Sequence, residues 1–209
     1  KQIELCHLYP QLRFALGLHP YFLRRFEFSH LVKLTNLLNQ YQNSVVALGE
    51  IGLDAHIDVD WTLQVQVFEQ QLTIAKEHSL PVILHHRNSH NQLLQILKAT
   101  KFSQGGIVHA FSGSLQQAHI YIDLGFKIGV GGAITYPRAN KTRKTISQLP
   151  ISSVVLETDA PDMPLMGKQG ERNSPEYLLE VFECLLSLRK ETRSELLQAC
   201  SHNVQLLFR

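Results

Sequence analysis

Three cysteines, Cys6, Cys184 and Cys200, are all that the chain carries, and no two share a CxxC spacing. An odd, scattered set excludes a disulfide framework and fits reduced, structural thiols in a cytoplasmic protein. Long apolar runs are missing too. None approaches the roughly 20 residues that cross a bilayer, and no charged-then-apolar leader opens the sequence. The first residue is Lys1 and not Met, so the expectation is that a further segment lies upstream. Proline and glycine form no tracts, and no low-complexity linker marks a domain boundary. Charge of one sign is not in excess either: the formal net charge is +2, which by itself nominates no polyanionic partner. No GxSxG elbow is present, so Ser112 has no serine-hydrolase frame around it.

What is present is apolar material for one core, with 44% hydrophobic and 18% charged side chains in 209 residues. Short, partly β-branched runs at 13–18, 45–48, 82–85, 106–109, 127–130 and 154–157 predict six strands. Helical stripes lie between them. Ser29 leads into Leu31, Leu34, Leu38 and Tyr41, and the stretch 61–78 aligns Val65, Phe68, Leu72 and Ala75. Ser89 with Gln92, and Ser114 with Gln117, have capping-box spacing. Ser174–Pro175 puts proline at a first helical position. Residues 178–188 and 196–207 read as two closing amphipathic helices, the first finishing near Arg189.

Strands alternating with helices argue for βαβ units and a parallel sheet. An open doubly wound sheet binds at one switch point, whereas here polar residues close nearly every strand. Glu50, His85, His109 and Asp159 end four of the six, the pattern by which a barrel builds a hydrolytic metal site on its C-terminal rim. The expected fold is therefore α/β, a TIM-type (β/α)8 barrel of the metal-dependent hydrolase kind. Eight strands and about 250 residues are usual for it, so residues 1–209 are expected to form a single barrel domain that lacks its first two βα units, with residues 1–9 as the tail of a second helix.

The segments GLHP (17–20), GEIGLD (49–54), LPVILHHR (80–87), HAFSG (109–113) and LETDAPD (156–162), in this order, resemble the motif set of the TatD family of metal-dependent deoxyribonucleases. KIGVGGAITYPRANKTR, over 127–143, further resembles the YjjV branch of that family. Family members carry an HxHxD motif on their first strand; this sequence has none, and the expectation is that it lies upstream of Lys1.

The visible residues then divide by chemistry. A carboxylate at Glu50 can bridge two divalent cations, or cap a loop or pair with an arginine. Asp54 fits a loop or capping role better than a ligand role. His85 and His109 offer imidazole donors at consecutive strand ends. His86, on the alternate face, is expected to pack between barrel and helix. Arg87 returns to the His85 face, suited either to a phosphate or to a carboxylate. Asp159 can ligate a metal and take the proton of an attacking water, with Glu157 either a ligand or a hydrogen-bonding support. His19 would, by the resemblance, contact substrate phosphate; a structural histidine before proline is the other reading. The remaining histidines, such as His30 and His202, read as surface or packing residues.

Arg138, Lys141, Arg143 and Lys144 crowd the start of a helix, where an anion such as a phosphate chain would be favoured, unless they form a solvated basic loop. No interleaving of arginines and aromatics strong enough to read bases stands out, so recognition of a strand end without sequence preference is expected, with Tyr136 and Phe111 available for stacking. The resulting expectation is a 3'-5' exonuclease-type DNase with two divalent ions, zinc, magnesium or manganese. Glu50, His85, His109 and Asp159 are its metal residues, Asp159 and Glu50 are catalytic, and His19, Arg87, Arg138 and Arg143 meet substrate phosphate. DNA, possibly RNA, strand ends are the expected partner of a monomeric, membrane-free protein. A metal-dependent amidohydrolase acting on a cyclic amide or ester, and a non-catalytic nucleic-acid-binding barrel, are the alternatives.

Overall fold

The structure, a computed structural model, describes residues 2–208. The chain divides into two compact units, one running up to Gly106 and the other covering Ile107–Leu207. Among the described residues every predicted strand and helix is found, most with shifted ends.

In the first unit, α1 (Gln2–Leu8) precedes β1 (Phe14–Leu16), and a 3-10 turn at Pro20–Arg25 leads to α2 (Ser29–Gln40). β2 (Val45–Asp54), α3 (Trp61–Glu77), β3 (Val82–Arg87) and α4 (His90–Ala99) follow. β1 pairs with β2, and β2 with β3, both in parallel. The core lies between β2, with Ala47, Leu48, Ile51 and Leu53 fully buried, and the Phe68, Leu72 and Ala75 stripe of α3.

β2 is longer than its sequence pattern announced. It runs on past Gly49, and its pairing with β3 slips between Gly49 and Ile51, so that Glu50 stands at an irregularity inside the strand and not beyond its end. An extra residue in a ladder re-aims its side chain. Gly52 lets the strand continue: its φ is 145°, and a Cβ there would run into the His85 carbonyl oxygen.

Two buried glutamines tie α3 to these strand ends. Gln71 accepts from the Leu18 N–H at 2.7 Å and donates to the Leu18 carbonyl at 3.1 Å. Gln64 accepts from the Asp54 N–H at 2.9 Å and donates to the carbonyls of Asp54 and Val59, both at 3.1 Å. Seven residues apart, they occupy one face of the helix, two turns from each other. Each satisfies backbone groups that a strand neighbour would otherwise serve.

β4 (Gly106–Val108) starts in the first unit, where Gly106 lies against Val82, and ends in the second. There α5 (Leu115–Asp123), β5 (Phe126–Val130), α6 (Asn140–Gln148), β6 (Val154–Leu156), α7 (Leu178–Leu188) and α8 (Arg193–Leu207) follow. β5 and β6 pair in parallel. α8 begins earlier than its apolar stripe suggested, since Thr192 and Glu195 share hydrogen bonds across its first turn. Its buried Asn203 donates to the carbonyls of Ile151 and Val154, at 2.9 and 2.8 Å, and so secures the start of β6. The Ser114–Gln117 capping box forms as predicted. The one at Ser89 does not: that hydroxyl donates to the Leu53 carbonyl at 2.7 Å, a buried acceptor that wins over the helix end. Among the described residues, no helix is long and apolar enough to cross a membrane.

Candidate metal centre

The first unit gathers one donor group. His19, Glu50 and His85 each offer a ligand atom, all within 4.8 Å of one another. His19 follows β1, and its Nδ1 accepts from the Tyr21 N–H at 3.1 Å, which fixes the ring. Its Nε2 lies 3.8 Å from Glu50 Oε2, and its ring meets that of His85 edge-on at 4.3 Å. Asp54 steadies His85, with Oδ2 at 3.2 Å from His85 Nε2. Its other oxygen accepts from the His56 N–H at 2.8 Å, the loop role foreseen for Asp54. His86 points the other way, buried and stacked on His90 at 3.9 Å, so its expected packing between strand and helix is what the structure has.

The second unit holds a pair. His109 follows β4, and its Nδ1 lies 3.6 Å from Asp159 Oδ1. Burial holds the His109 imidazole below its ordinary value of 6.5, while the Asp159 charge pulls in the opposite direction. The burial effect is the larger, so His109 favours the neutral form that donates a lone pair. Asp159 has φ 59°, in the left-handed region that aspartate tolerates. Glu157 accepts from the Ala110 N–H next to His109. Its carboxylate fills the space beside Gly129, where a Cβ would approach Glu157 Oε2 to 2.6 Å.

The loop that carries Asp159 is organised by Asn173, a residue that no sequence motif singles out. Its Nδ2 donates to the carbonyls of Thr158 at 2.5 Å, Asp162 at 2.7 Å and Met163 at 3.2 Å, and its Oδ1 accepts from the Ser174 N–H at 2.9 Å. Only 3% of the residue is exposed. Asn173→Ala should lower stability by about 2 kcal/mol or more, because the acceptors it leaves behind are buried. Chemical denaturation checks this, and a loss near zero would mean that the loop holds itself.

The cations behave differently from one another. Arg87 is exposed at the end of β3, and Arg138 lies over the Tyr136 ring at 5.3 Å. Arg143 turns inward, donating to the Ile134 carbonyl at 2.5 Å with Cys184 Sγ 3.6 Å away. Phe111 cannot stack on a base as expected: it is 2% exposed, packed edge-on to Tyr121 under Gly113. Tyr136 is half-buried, its hydroxyl given to the Pro164 carbonyl at 2.7 Å. Contrary to the expectation that no arginines and aromatics interleave, the run PYFLRRFEF at 20–28 combines exposed rings with two arginines.

Imidazole and carboxylate donors brought together from separate strand ends suit a zinc-like or harder divalent ion, so the residues present fit a metal. An α/β protein with such donors at its strand ends falls in the class of TIM-barrel-type metal-dependent hydrolases. The chain matches the family described as TatD related DNase over residues 1–209, and it belongs to that family. It is 48% identical to the metal-dependent hydrolase YjjV of Escherichia coli K12, over 99% of this chain and 80% of that protein. It is 46% identical to a metal-dependent hydrolase of Haemophilus influenzae, over 88% of this chain and 72% of that one. The crystal structure of E. coli YjjV superposes with a TM-score of 0.95 over 99% of this chain and 80% of its own.

Proposed function

We propose that the protein hydrolyses phosphodiester bonds at DNA strand ends, as a metal-dependent 3'-5' exonuclease-type deoxyribonuclease. The observation that carries this reading is the convergence of His19, Glu50 and His85 on one small space. These three would hold a divalent ion, and His109 with Asp159 offers a second set of donors. Zinc, magnesium or manganese, when bound, supplies acidification of water and neutralisation of charge on the phosphoryl oxygens.

The chain's own groups do the rest. Asp159 accepts the proton that the attacking water loses, a task for a carboxylate held in place but not deeply buried. His109, kept neutral by burial, stays available as a donor over a wider acid range than an exposed imidazole. Asp54 orients His85, and Glu157 props the backbone at Ala110. Arg87 and Arg138, both exposed, would receive phosphates, while Arg143 has one guanidinium nitrogen engaged with the Ile134 carbonyl.

A 5'-labelled oligonucleotide incubated with the protein and each of the three ions should yield a ladder of shortened strands and free nucleotides, stopped by chelator. A strand left intact with every ion would overturn the reading.

A further inference from the structure

The run 20–28 places large aromatic rings in water beside the first donor group. In a 3-10 turn, residues three apart eclipse. Pro20 and Leu23 accordingly share the inward face, and Leu23 is 3% exposed. Tyr21 and Phe22 are thereby pushed outward, 62% and 73% exposed, their rings edge-to-face at 5.3 Å. Phe22 lies 6.2 Å from the His19 ring, so the exposed aromatics run up to the donor group without a gap. Phe28, also exposed, meets Phe26 at 5.3 Å.

Between these rings stand Arg24 and Arg25, both exposed. Arg24 makes a solvent-washed pairing with Asp58 at 3.5 Å, which an incoming phosphate can replace. The one acid of the run, Glu27, accepts from the Ser29 hydroxyl at 3.2 Å. Rings separated by cations do not make the continuous apolar patch of a protein interface; they match the alternation of flat base and phosphate along a single strand.

We propose that Tyr21 and Phe22 form a platform on which unpaired nucleobases stack, with Arg24 and Arg25 meeting the adjoining phosphates, so that the strand is led to His19. The proposal rests on the nuclease reading for its purpose, and binding tests it separately from cleavage. A phosphorothioate-linked oligothymidylate resists cleavage; its abasic counterpart keeps the backbone and lacks the bases. Fluorescence anisotropy should show the metal-loaded protein binding the thymidylate strand about tenfold or more tightly than the abasic one. Tyr21→Ala/Phe22→Ala should erase that preference while binding the abasic strand as before. Near-UV circular dichroism checks that the variant is folded, as two exposed positions allow.

Equal affinity for the two strands, no affinity for either, or an unchanged preference in the double variant each overturns the platform. So does loss of self-association in the variant with strand affinity intact, since the rings would then serve a second copy of the chain. If the preference is found and erased as described, yet no metal supports cleavage, the platform stands and the nuclease reading falls.

Discussion

Asp159→Asn is expected to lower the turnover of a cleavable oligonucleotide by about a thousandfold, within the range for loss of a positioned proton acceptor. Asparagine is the informative replacement because residue 159 has φ 59°. Asparagine accepts that left-handed conformation, whereas alanine would add backbone strain to the chemical loss. The amide keeps the shape of the carboxylate and removes its charge, so kcat should fall far more than KM rises. The same change takes from His109 the neighbour that raises its pKa, leaving the opposing effect of burial. Its imidazole should then titrate at a lower pH than in the metal-free wild type, measured by NMR. Turnover within about threefold of wild type would remove Asp159 from the chemistry.

Glu50→Gln comes next in expected effect. Glu50 lies at the irregularity in β2, partly open to solvent, with Oε2 3.8 Å from His19 Nε2. Glutamine preserves its volume, so the stability of the metal-free protein should change by no more than about 0.5 kcal/mol. Metal affinity should fall beyond the ~10–100-fold that loss of an outer hydrogen-bond partner produces, and turnover should follow it. Isothermal titration with manganese, paired with the nuclease assay, separates the two quantities. Unaltered metal affinity would assign Glu50 the milder role of a loop support.

The order of elements was legible because periodicity survives folding: strands alternate and helices carry stripes. Polar exceptions to the pattern were not. Gln64 and Gln71 occupy the buried face of α3, but a glutamine in a helix reads as surface until the backbone it clamps is seen. Ser89 and Ser114 have the same spacing to a glutamine, and only the latter caps, because a buried carbonyl competes for the former. The donor types at 50, 85, 109 and 159 could be recognised from where they stand on strands. The place of His19 among the donors could not, since it depends on the slip in β2 that turns Glu50 toward it. Arg143 illustrates the reverse: its charge suggested a phosphate contact, and the fold turns one of its guanidinium nitrogens inward to the Ile134 carbonyl.

The two glutamine clamps have a mechanical consequence. Leu18 leads directly into His19, and Asp54 holds His85, so a single helix governs the footing of both histidines. Whatever lifts α3 from its seat disturbs both at once, and whatever seats it restores both. The imidazoles of the first unit are thus kept or lost in concert, like two drawers on one lock.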